Sequence, residues 1–407
     1  MQKFNHVILI VVIATLLSAC GTPSTPQGGT VPQPSELPAT TAPETATDLP
    51  PTPFPDTPAP VAIDAPLVEG PALVAMQFIN ELDGWGVTET QIVRTNDGGV
   101  TWYNITPADV TQAGYQVRFQ ALDVSHAWML TPDYDNYPNR GTLQITADGG
   151  LNWNTVIAPF SSARLEFLDA SNGWALVDID AGAGSNAVAI FQTTDGGVTW
   201  DKKFGHEPGQ PVGENALPLS GLKSGIAPVT MQTAFVYGVV YASGTVYVFR
   251  TDDGGVTWAA LADVPLPPDA ANYEMGIDPG GMRFVSSANG FMAVRMVGTD
   301  TKTAVYVTED GGNTWVLTPT LIPNGGSADF LSAEGAVIYN GEQFHVTQDA
   351  GRTWRIVPPD IKFGDSFAML DFVNLNTGWV LTLDPSNNQQ TLYRTSDGGV
   401  TWFPVVQ

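Results

Sequence analysis

The sequence predicts an all-β fold, a seven-bladed β-propeller of four-stranded antiparallel blades. Three observations carry that prediction. An eight-residue segment recurs seven times, from Thr95-Asn96-Asp97-Gly98-Gly99-Val100-Thr101-Trp102 to Thr395-Ser396-Asp397-Gly398-Gly399-Val400-Thr401-Trp402. The stretches between copies are short apolar or β-branched runs separated by turn residues, with no sustained helical period. All eleven tryptophans fall into two registers set by the recurrence, seven closing the repeated segments and four lying upstream.

The copies are centred on Asp97, Asp148, Asp195, Asp253, Asp310, Asp349 and Asp397, and five residues after each stands Trp102, Trp153, Trp200, Trp258, Trp315, Trp354 or Trp402. Successive Asp residues lie 51, 47, 58, 57, 39 and 48 apart. That period suits a four-stranded propeller blade and is too long for a leucine-rich or ankyrin unit. Each copy reads as a structural turn. The Asp carboxylate accepts from backbone N–H groups just ahead of it, the glycines supply positive φ, and the Trp buries its ring in the next strand. Ala350 replaces the first Gly in the sixth copy while the second Gly never varies, so the second is expected to be the left-handed position.

Strands follow around each turn. In the first unit Ala72 to Phe78 precedes Asp83-Gly84-Trp85-Gly86-Val87, then Gln91 to Arg94, the turn, and Trp102 to Ile105. The order repeats with Phe167 before Gly173-Trp174, Phe284 before Gly290-Phe291 and Phe372 before Gly378-Trp379. The upstream register holds Trp85, Trp128, Trp174 and Trp379, and the expectation places Val239, Phe291 and Ala336 there in units four, five and six.

The amino-terminal part reads differently. Lys3, the apolar run Val7 to Leu17 and Leu17-Ser18-Ala19-Cys20 make residues 1–19 a signal peptide, because 11 apolar residues fall short of the roughly 20 that a spanning helix needs. Residues 20–66 are expected to be an extended tether, since Gly21 to Pro66 holds 13 of the 32 prolines. The propeller is assigned to 67–407. Cys20 is the single cysteine, which excludes an intrachain disulfide. The net charge of −25 argues against a nucleic-acid partner and against electrostatic attachment to anionic lipid.

Leu17-Ser18-Ala19-Cys20 resembles the lipobox of bacterial lipoproteins. The resemblance implies lipidation of Cys20, attachment to the membrane through that lipid alone, and a place on the extracytoplasmic face. The repeated turn resembles the Asp-box, or BNR repeat. With Gly-Trp in the second strand, residues 71–407 are most similar to propellers of the photosystem II stability/assembly factor type. That similarity implies a binding or assembly scaffold that catalyses nothing, with a protein or glycan partner on the upper face or in the channel. Sialidases and xyloglucan-cleaving enzymes carry the same box, so a glycoside hydrolase of either type is the alternative. A sialidase would need three arginines, for which Arg118, Arg164 and Arg283 stand, and a Tyr assisted by Glu, for which Tyr273 stands with Glu166 or Glu274. The Arg-Ile-Pro signature of that family is missing, and its propellers have six blades.

Candidate site residues come from strand parity. Uniform repeated turns lie on one face and long irregular connections on the other, where function is expected. Counting back eight from the upstream aromatic gives Gln77, Gln120, Glu166, Arg283 and Asp371 on the innermost strands, and Arg118 and Arg164 lie two residues earlier on the same side. These are the candidate partner-binding residues. Arg118 and Arg164 are expected to share one quadrant of the channel mouth, with Glu166 below one of them, ready for a carboxylate from a chain end or an acidic sugar. The same residues also suit a solvated channel wall with internal salt bridges. No cofactor or metal is expected: His6, His126, His206 and His345 have no ligand spacing, and the Asp-rich stretches at 133–136 and 178–182 lack the terminal Glu of a calcium loop.

Overall fold

The computed structural model describes residues 63–206, 212–261 and 264–406. The expected signal segment, Cys20 and residues 20–62 of the expected tether lie outside the described residues.

The chain is an all-β propeller, and its described strands pair antiparallel in six hydrogen-bonded sheets. The second sheet runs Arg118–Ala121, Ala127–Pro132, Gly141–Thr146, Asn154–Ala158, and the third Ala163–Phe167, Gly173–Gly182, Ser185–Thr193, Asp201–Gly205. The fifth runs Ser327–Phe330, Ala336–Tyr339, Phe344–Thr347, Arg355–Val357, and the sixth Phe367–Phe372, Gly378–Leu383, Gln390–Thr395, Phe403–Pro404. The first has the strands Leu73–Phe78, Gly84–Thr88, Ile92–Thr95 and Trp102–Asn104, with Leu67–Val68 added outside the last.

Seven separate four-stranded blades are therefore not found. Five sheets stand as separate blades, and the fourth sheet is a single body of nine strands between Leu222 and Pro323. The long second strand Ala234–Ser243 outruns its partner Tyr247–Thr251, leaving backbone groups that need partners. Glu274–Gly276 pairs with it at Val239 and Ser243 and on its other edge with Gly290–Val297. That bridging strand fuses two repeat units into one sheet.

First strands of successive units neighbour one another around a central channel, and Phe367–Phe372 returns to Leu73–Phe78. An aromatic relay packs these neighbours. Trp128 stacks on Phe167 (3.5 Å, 7°), Phe291 on Phe330 (4.9 Å, 6°) and Trp379 on Phe78 (3.6 Å, 1°). Phe78, Phe167, Phe284 and Phe372 also lie over the glycine that starts their own second strands. A Cβ on Gly84 or Gly173 would meet the ring of Phe78 or Phe167 at 2.6 or 2.7 Å, which explains the recurring Gly before the upstream Trp.

Ring closure uses the same contacts without exchanging a strand. Leu67–Val68 stays in its own sheet, while Trp379 Nε1 donates to the Gly98 carbonyl (3.0 Å) and Gln390 Nε2 to the Leu73 carbonyl (2.8 Å).

The seven repeated turns share one hydrogen-bond scheme. In the first, Thr95 Oγ1 donates to Asp97 Oδ1 (2.9 Å) and accepts from Gly99 N (2.9 Å), and Asp97 Oδ1 accepts from Thr101 N (2.8 Å). The carboxylate thus reaches the N–H four residues later. Thr146, Thr193, Thr251, Thr308, Thr347 and Thr395 repeat the hydroxyl contact, and all seven are buried. Both glycine positions are left-handed, at φ 77° and 93° for Gly98 and Gly99, and Ala350 holds φ 55°. The expectation placed the left-handed conformation at the second position, and the first holds it as well. The burial expected for the closing Trp rings holds for Trp102, Trp258, Trp315 and Trp402, whereas Trp153, Trp200 and Trp354 are partly buried.

Candidate active site

Inner-strand register decides which side chains enter the channel. Gln77, Gln120, Glu166, Arg283 and Asp371 pair across their hairpins with Trp85, Trp128, Trp174, Phe291 and Trp379. Two register assignments needed correction. Phe235, not Val239, pairs with Ala227, and Val337, not Ala336, pairs with Asp329. The channel set therefore includes Asp329, which the sequence reading missed because Val337 gave no aromatic signal. The conserved chemistry within the repeats was visible at another place: comparing the copies would have singled out the Thr two residues before each Asp.

Most channel residues stitch neighbouring inner strands. Gln77 Oε1 accepts from Ala121 N (3.3 Å) and its Nε2 donates to Ala121 O (3.0 Å). Gln120 Oε1 accepts from Phe167 N (3.2 Å), Asp329 Oδ2 from Phe372 N (2.8 Å), and Asp371 Oδ2 from Phe78 N. These bonds satisfy N–H groups at strand edges that no ladder reaches.

Around them lies a cavity of about 630 Å³ whose walls include Gln120, Glu166, Tyr237, Arg283 and Asp329. Burial pushes Glu166 up to about 7, with the Arg283 charge pulling the other way. Asp329 and Asp371 are both raised, first by burial, and for Asp371 by the charge of Asp329 as well; backbone N–H groups and Arg283 oppose the rise. The charge of Asp329 thus opposes ionisation of Asp371, so the two titrations are linked. Tyr237 is raised by burial and by the Glu166 charge, and its Oη accepts from Gly280 N (3.2 Å).

The expected arginine pair does not assemble over Glu166. Arg164 Nη1 binds Asp178 Oδ2 at 3.0 Å, and Asn186 holds the other Asp178 oxygen at 3.2 Å. Arg118 is exposed, its Nη1 reaching only the Tyr115 carbonyl at 3.5 Å. The counter-charge of Glu166 is Arg283. In the sialidase arrangement the Tyr would be assisted by a Glu, whereas Tyr273 Oη donates to Asp300 Oδ1 (2.6 Å) and accepts from Lys302 Nζ (2.8 Å). Among the described residues no group of three or more His, Cys, Asp or Glu side chains is placed to hold a metal ion.

These carboxyls give stability a signed pH dependence. Glu166, Asp329 and Asp371 bind protons more tightly folded than unfolded, so their contribution is full below the ordinary carboxyl range and is lost as pH rises towards about 7. The turn carboxylates Asp148, Asp195, Asp253, Asp310 and Asp397 shift the opposite way, because hydrogen bonds outweigh a burial effect that raises them. Their contribution is present above the ordinary range and lost as pH falls through their lowered values. Thermal melts from about pH 3 to 8 are expected to peak near pH 4–5. Glu166→Gln should flatten the decline on the neutral side; a parent profile level from pH 5 to 8 would contradict the assignment.

No family model matches the chain. A curated xyloglucanase from Paenibacillus sp is 27% identical over 255 residues, 54% of this chain and 24% of that protein, so the chain spans about a quarter of its length. The GH74 xyloglucanase from Xanthomonas campestris superposes with a TM-score of 0.52 at 13% identity, covering 82% of this chain and 54% of the other. YCF48 bound to D1 peptide aligns with a TM-score of 0.48 at 16% identity, over 79% and 92%. The expectation of a chain that catalyses nothing is corrected by these comparisons, in which the curated relative is an enzyme. What they establish is the fold: a β-propeller like that of the GH74 xyloglucanase.

Proposed function

We propose that this chain is a carbohydrate-active propeller, a glycoside hydrolase of the xyloglucanase type that takes its glycan at the channel and upper face. One observation carries the reading: Glu166 and Asp329 line one cavity, and burial raises both carboxyls and that of Asp371, which feels the charge of Asp329. Two-carboxylate hydrolysis requires one acid that still holds its proton and one carboxylate that has lost it. Glu166 supplies the first. The ionised member of the aspartate pair supplies the second, as base or nucleophile, and Arg283 balances its charge. The weak sequence similarity to a xyloglucanase supports the same reading.

Reducing-end release from xyloglucan and other β-glucans by the full chain is the test. Glu166→Gln should lower the rate by about a hundredfold or more while the melting temperature at pH 5 is kept. A parent chain that releases nothing from any glycan offered would end the proposal. Attachment through Cys20 on the extracytoplasmic face belongs to the same proposal, and would place the enzyme where polysaccharide is met. Mass spectrometry of the native protein is its check, an unmodified amino terminus beyond Gly21 being the adverse result.

A further inference from the structure

We propose that a pocket between the first and second sheets, beside the channel, is a binding site for a uronic-acid residue. This rests on the glycan reading above and goes beyond it by naming an acidic sugar. The cavity measures about 290 Å³, near the lower end of small-molecule sites and suited to one sugar ring. Val74, Met76 and Val87 line it from the first sheet, and Tyr115, Arg118 and Phe119 from the approach to the second. Gln77 and Phe119 also line the channel cavity, so one glycan can reach both.

Charge selects the ligand. The protein carries a formal charge of −25, and guanidiniums such as Arg94, Arg140, Arg164, Arg250, Arg295 and Arg352 are paired with carboxylates. Arg118 has no such partner among the described residues, and its single hydrogen bond is the 3.5 Å contact to the Tyr115 carbonyl. Its fork of donors matches a carboxylate in bidentate geometry. Tyr115, 74% exposed, and the half-buried Phe119 offer ring surface to the C–H face of a pyranose. An apolar wall, two aromatic rings and one unpaired guanidinium together fit a sugar that carries a carboxylate.

Calorimetric titration of the full chain carrying Glu166→Gln separates binding from turnover. Digalacturonate is the probe, with cellobiose as its neutral counterpart and benzoate as a carboxylate without a sugar. Digalacturonate should bind about tenfold or more tighter than either, and added salt should weaken it. Arg118→Ala should abolish that preference with an unchanged melting temperature, Arg118→Lys should keep part of it, and Tyr115→Ala should weaken every sugar. Equal binding of cellobiose, tighter binding of benzoate, or an Arg118→Ala variant that binds like the parent would each overturn the proposal. Should no glycan be hydrolysed while the Arg118-dependent preference persists, the hydrolase reading fails and the uronate site stands.

Discussion

Trp379→Ala is expected to cost about 3–5 kcal/mol in denaturant unfolding, the range for losing a buried Trp in a core that cannot collapse around the gap. Trp379 is fully buried and sits where the last sheet meets the first. Its ring lies 3.6 Å from Phe78 at 1°, and its Nε1 donates to Gly98 O, so the substitution removes a stack and a bond together. No strand crosses this seam among the described residues, and the other hydrogen bonds across it include Phe78 N to Asp371, Gln390 to the Leu73 carbonyl, and Asn374 and Thr377 to Glu81. Hydrogen exchange should therefore rise first in Leu73–Phe78 and Phe367–Phe372. A loss below about 1 kcal/mol would show that the seam is held by something else.

Lys223→Met is the second large effect, expected at about 2–4 kcal/mol. Lys223 is 1% exposed and forms no ion pair among the described residues; its Nζ donates to the carbonyls of Asn186 (2.9 Å), Leu219 (3.0 Å), Ser220 (3.3 Å) and Gly221 (3.2 Å). Burial lowers its pKa to about 8, so housing the charge has a cost that the four carbonyls offset. Methionine keeps the stem and removes the donors. The Ser220 carbonyl retains Tyr247 Oη and the Gly221 carbonyl retains Asn186 N, while the Leu219 and Asn186 carbonyls lose the ammonium. Chemical denaturation measures the loss, and faster amide exchange at 212–221 should accompany it. A variant as stable as the parent would mean that water replaces the ammonium without penalty.

Legibility differed between local and non-local features. Strand order, the repeated turns and the five channel positions Gln77, Gln120, Glu166, Arg283 and Asp371 were readable because each depends on period-two alternation around a recurring motif. Asp329 was not readable, since its hairpin carries Val337 where other units carry an aromatic ring. The Gly before the upstream Trp could be counted in the sequence, but its cause, the Phe ring lying on it, is a contact across a hairpin.

Sequence alone determined an all-β chain of repeated antiparallel units, because turn chemistry and alternation act over a few residues. It also determined the acidity of the chain, a formal charge of −25. Tertiary structure decided how many sheets those units form, since the free upper end of Ala234–Ser243 captured Glu274–Gly276 and merged two of them. It decided partners too: Arg164 turns to Asp178 and Glu166 faces Arg283, outcomes set by which side chains the ring brings within a few ångströms. The raised pKa values of the channel acids belong to the same class. Desolvation is a property of the assembled lumen, and no residue carries it in its name.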